Sequence, residues 1–117
     1  MPDYRVNQAA VRQARRLIDD GRFDDRTEWS QAAPDAAAAN DVIDREGFDA
    51  FAAWHLAEDP GASEGTKGRY AFPYGDFSTV NRAALIHAEQ RASQNGHDAI
   101  EKAADDLLQR LDARREG

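Results

Sequence analysis

The last third of the chain sets the strongest constraint. Ile100, Ala103, Ala104, Leu107, Leu108 and Leu111 recur at three- and four-residue spacing, and a stripe of that period can be buried along one side only if the segment is helical. It predicts a helix over 98–112, with residues 113–117 frayed. Just upstream, Val80, Ala83, Ala84, Ile86, Ala88 and Ala92 repeat the pattern and end at Asn95-Gly96, where a glycine can take the positive φ of a helix stop. So short a break predicts an antiparallel helical hairpin. Asp76 or Ser78 is the expected cap of its first helix.

The first half reads the same way. Asn7 is placed to cap a helix over 8–20, whose Ala10, Val11, Ala14, Leu17 and Ile18 lie at helical spacing before Gly21. Arg22 to Ala33 has no sustained period, so it reads as a connection anchored by Phe23 and Trp29. Pro34 suits the first turn of a second helix, with Ala39, Val42 and Ile43 on its apolar face and Gly47 at its end. A third, shorter helix is expected over 48–57, with Phe48, Phe51, Ala52 and His55 on one side and Trp54 and Leu56 flanking. The expected fold is an all-α single domain, 1–117, of four to five helices with the C-terminal hairpin and a long aromatic loop. A short β-ribbon within that loop is left open, because Arg69-Tyr70-Ala71-Phe72 alternates while Pro73 confines any strand to an edge.

Composition narrows the chemistry. With 117 residues, 41% apolar, the chain is long enough to bury a core. It has no cysteine, which excludes disulfides, thiolate nucleophiles and zinc-thiolate sites. Residues 19 to 49 carry ten acidic against three basic side chains, a local charge of −7 that equals the net charge of the whole. Phosphate binding needs clustered Lys and Arg, so neither direct nucleic-acid binding nor membrane association is expected. A protein partner or a homo-oligomer stays open. Met1 to Arg5 holds no basic stretch leading into an apolar run, and no window approaches a spanning helix. The expected compartment is the cytoplasm.

The densest unusual stretch is Lys67 to Phe77, where four rings lie between glycines. Such a loop either buries its rings as a plug on the helical core or presents them as a patch flanked by Lys67, Arg69 and Asp76. The candidate ligand- or partner-binding residues are Trp54, His55, Lys67, Arg69, Tyr70, Tyr74, Asp76 and Arg82. Each has an ordinary alternative: Trp54 as a core anchor, and His55 as a buried histidine rather than a base. His87 and His97 flank the hairpin turn near Glu89, Asp98 and Glu101, yet form no familiar ligand pair, so no metal or cofactor is expected. His87 and Arg91 share a helix face and suit a polar seam against the loop. The serines lack a nucleophile-elbow context, and the glycines Gly61, Gly65 and Gly68 are not spaced as a phosphate loop. No catalytic residue is assigned.

The string Trp54-His55-Leu56, then Thr66 to Phe77, then Val80-Asn81-Arg82 resembles a family of short bacterial proteins that carry no assigned activity. The likeness extends from Ala14 to Asp19 through Trp29 and Ala88 to Ala92 to the final helix. A shorter motif, a basic residue and Tyr before Pro and then an Arg-bearing helix, is also similar to segments of phage-associated proteins. Where the family commonly has histidine, this chain has Asn81. The resemblance implies Trp54, Tyr70, Asp76 and Arg82 as the positions to test first. The leading expectation is a non-enzymatic interaction or accessory protein. The alternatives are a small-molecule-binding protein or enzyme with its site at the aromatic loop, and an acidic mimic of nucleic acid.

Overall fold

The computed structural model describes residues 3–116. The order of elements is β1 (Arg5–Val6), α1 (Gln8–Asp19), β2 (Phe23–Asp24), α2 (Trp29–Ala32), α3 (Ala36–Glu46), α4 (Phe48–Ala52) and β3 (His55–Glu58). A 3₁₀ turn (Lys67–Arg69), β4 (Tyr70–Pro73), β5 (Val80–Asn81), α5 (Arg82–Gln94) and α6 (Asp98–Glu116) complete it. The all-α expectation is therefore overturned. The molecule is 59% helical and 13% strand, a mixed α/β architecture with two small sheets rather than a helical bundle.

The first sheet is antiparallel in the order β1-β3-β4, with Val6 opposite Ala57 and Ala57 opposite Ala71. The third expected helix, 48–57, stops at Ala52, and the chain turns into the central strand β3. Both faces of β3 are covered, leaving Leu56 and Ala57 with no exposure. Asn7 occupies the capping position of α1, but its side chain makes no cap bond. Its amide Nδ2 instead donates to the Ala52 and His55 carbonyls at 3.0 and 3.1 Å, tying the start of β3 to the start of α1.

The second sheet is a parallel pair, β2 with β5. It displaces the start of α5 from the expected Asp76 or Ser78 to Asn81. That residue, 1% exposed, accepts from the Ala84 N–H at 2.9 Å and donates to the Thr27 carbonyl at 3.0 Å. One amide thus caps a helix and anchors the connection after β2, a double role that needs both a donor and an acceptor.

The main core joins α1, α5 and α6 to the sheets through Ala14, Ile18, Leu56, Leu85, Leu107 and Leu111. A second cluster lies under α3 and α4, where Ala39, Val42 and Phe51 meet Phe48, Tyr70 and Phe77. The tail, expected to fray from 113, continues as helix to Glu116, and Gly117 lies outside the described residues. Arg114 donates to the Asp19 carbonyl and Arg115 to Asp25, which holds the last turn against the first half of the chain.

Candidate functional site

The aromatic stretch divides between interior and surface. Tyr74 has no exposure and stacks on Trp54, with centroids 5.1 Å apart and planes at 26°. Its hydroxyl donates to the Ala53 carbonyl at 2.8 Å and accepts from Gln13 Nε2 at 3.0 Å. Burial pushes that hydroxyl well above the ordinary tyrosine pKa, so it stays neutral. Gly75 lies against the same stack, and a Cβ there would collide with the Thr79 carbonyl and the Trp54 ring.

His55 is buried beside Phe51, ring centroids 4.5 Å apart, with Nδ1 3.0 Å from the Phe51 carbonyl. A carbonyl can only accept, so Nδ1 carries the hydrogen. Desolvation drives the pKa of His55 down to about 4 despite that bond, and the ring is neutral near pH 7.

The remaining candidates are spread over the molecule. Arg69, 7% exposed, donates to the Ala62 carbonyl at 2.7 Å and lies 3.4 Å from Glu58, which also takes Arg5 at 3.1 Å. Asp76 is engaged by its own turn, where one carboxylate oxygen accepts from the Ser78 and Thr79 backbone N–H groups and the Thr79 hydroxyl. Arg82 forks onto Asp112 at 2.8 and 3.1 Å, and Asp112 also takes Arg115. Those hydrogen bonds hold the Asp112 carboxyl below the usual carboxylate range. Tyr70 is half-buried against Phe48 and Phe51, and Lys67 is exposed in the 3₁₀ turn. Trp54, His55, Tyr70, Asp76 and Arg82 are not brought together around one cavity.

A cleft does open on the other side of the aromatic stretch. It measures about 560 Å³ and lies between β4, α5, α2 and the segment before β1. Tyr4, Phe72 and His97 form an edge-on set there, with Tyr4 5.6 Å from Phe72, Tyr4 5.2 Å from His97 and Phe72 6.1 Å from His97. Trp29 faces them from α2, and His87, Arg91 and Asn95 line the wall formed by α5. Among all the lining residues there is no carboxylate. Arg91 is exposed and makes no ion pair among the described residues.

His87 and Arg91 fall where their shared helix face places them, beside Ala71, Phe72 and Pro73 of the loop. Sequence reasoning did not attach Tyr4, Trp29 or Asn95 to this place. Tyr4 arrives through the pairing of β1 with β3, for which nothing local to residues 4 to 6 gives a signal. No group of three or more His, Asp or Glu side chains suited to a metal ion occurs among the described residues, and no described helix is long and apolar enough to cross a membrane. Comparisons with protein-family models, with curated proteins and with solved structures each return no match.

Proposed function

We propose that the protein acts by binding rather than by catalysis, as an accessory protein that holds a partner protein at the cleft beside β4. The single supporting observation is the contrast in how polar atoms are used. The buried polar groups of the Trp54–Tyr74 region are consumed by internal bonds, whereas Arg91 and His87 stand exposed next to a set of half-buried rings. Rings backed by arginine are the residue types that dominate binding energy at protein interfaces.

The expected cytoplasmic setting belongs to the same proposal, as does kinship with the short bacterial proteins of similar pattern. A small-molecule ligand is the second reading, favoured by a cleft volume inside the range of drug-sized sites. The acidic-mimic reading is not carried forward. Asp19 and Asp25 are ion-paired with Arg110 and Arg115 of α6, so the acids of the 19–49 segment are in part turned inward against the end of the chain rather than offered as a free ridge.

The test is retention on the immobilised chain. A protein held by the wild type and by Lys102→Ala should be lost from a folded Phe72→Ala/Arg91→Ala double variant. Retention of the same proteins by all three would overturn the proposal.

A further inference from the structure

Resting on that reading, we infer that the cleft takes a short acidic segment of its partner, a ring or large apolar side chain flanked by carboxylates. Three observations meet here. The first is charge. The chain carries a net charge of −7, yet the walls of this cleft hold the Arg91 guanidinium and no carboxylate. Arg12, Arg15, Arg16, Arg22, Arg91 and Arg114 make no ion pair among the described residues, and of these only Arg91 lines this cleft, where a guanidinium beside half-buried rings is complementary to an anionic group from outside.

The second is the apolar floor. Tyr4, Phe72 and His97 stand edge-to-face with one another, and all three line the cleft half-buried, so a ligand ring entering it meets aromatic surface. Trp29 on the opposite wall can complete such a slot. The carboxylate and the ring of the ligand are thereby read by different walls, Arg91 on α5 and the rings on β4, α2 and the chain before β1.

The third concerns how the segment is held. β4 is the edge strand of its sheet, which would ordinarily invite an added strand through backbone bonding. Here Phe72 has φ of 62° and Pro73 has no N–H, so the edge cannot extend as a regular ladder. Recognition therefore falls to side chains. A volume of about 560 Å³ accommodates a few side chains and not a broad face, which selects a short linear segment. Long-range repulsion from the acidic chain is screened beyond about 10 Å at 0.1 M salt, so the local field of Arg91 governs the contact.

The experiment uses the full chain and fluorescein-labelled pentapeptides read by anisotropy. The probe has sequence Glu-Glu-Phe-Glu-Glu, and the controls replace all Glu by Gln, all Glu by Lys, or Phe by Gly. The acidic Phe peptide is expected to bind at least tenfold more tightly than any control, and to weaken as salt rises. Arg91→Ala should reduce its affinity about tenfold and Phe72→Leu by less, with far-UV circular dichroism unchanged in both. Equal binding of the Gln or Lys peptide, or indifference to Arg91→Ala, would overturn the inference. So would free phenylacetate displacing the peptide at the peptide's own affinity, since the site would then belong to a small acid. If a partner is retained through Phe72 and Arg91 but no acidic peptide binds, this inference fails while the interaction role stands. Loss of both removes the two together.

Discussion

Two ring clusters sit back to back on the same aromatic stretch and differ in kind. In the first, Trp54 and Tyr74 stack face to face, sealed, with the tyrosine hydroxyl bonded on both sides. In the second, Tyr4, Phe72 and His97 meet edge to face, half-buried, beside Arg91, which makes no ion pair among the described residues. Phe72 and Tyr74 are two residues apart, a spacing that in a regular strand keeps side chains on one face. The positive φ of Phe72 and the proline after it break that rule and send the two rings to opposite fates. Density of rings in a sequence therefore does not separate a plug from a docking site. What separates them is whether the polar atoms nearby are already spent.

The contrast can be broken from the sealed side first. Gly75→Ala should have the largest effect, about 3 kcal/mol or more of lost stability, because its Cβ would meet backbone as well as the Trp54 ring. Urea unfolding would show it as a lower midpoint at unchanged slope. Acid should act through His55 next. Its folded pKa of about 4 lies below the unfolded value near 6.5, so the unfolded chain binds the proton more readily. The stabilisation is complete above pH 6.5 and is lost as pH falls towards 4, by about 3 kcal/mol in total. Stability measured over that window should fall less steeply in His55→Gln, and parallel profiles would refute the assignment.

Tyr74→Phe comes third, at about 1 kcal/mol, since it removes both hydroxyl bonds and leaves Gln13 and the Ala53 carbonyl only their longer 3.5 Å bond to each other, while preserving the stack. Arg91→Ala is the smallest in stability, within about 0.5 kcal/mol, as expected of an exposed side chain without an ion pair. The pair of clusters predicts opposite signatures: Tyr74→Phe lowers stability and spares binding, whereas Arg91→Ala does the reverse.

Much of the helical frame was legible because its signals are local. Asn7 and Gly21 bracket α1, Gly47 ends α3, and the leucine stripe marks α6, although α3 starts at Ala36 behind an Asp35 cap and not at Pro34. The strands were not, for two physical reasons. Arg5–Val6, Phe23–Asp24 and Val80–Asn81 are two residues long, too short for any period, and find partners more than 50 residues away. β3 was hidden differently. Phe51, Ala52 and His55 happen to fall at helical spacing, and a central strand covered on both faces lacks the alternation that would have exposed the mistake.

The candidate site was legible in part for the same reasons. His87 and Arg91 could be placed on one helix face beside the loop from spacing alone. Their companions Tyr4 and Trp29 come from the far end of the chain, carried there by pairing that local sequence does not encode. Chemical type alone marks Trp54, His55, Lys67, Arg69, Tyr70, Tyr74, Asp76 and Arg82, and the structure commits most of their polar atoms to its own interior or to ion pairs.

The contact of α1 with α6 has a consequence for how the molecule comes into being. Asp19 and Arg110 grip each other across 91 positions, and Ala14 and Ile18 share a core with Leu107 and Leu111. During synthesis the part of the first helix that packs on α6 therefore stays uncovered until Leu107 and Leu111 have emerged, about 90 residues later. Truncation ahead of Leu107 would leave that side of the first helix without its lid.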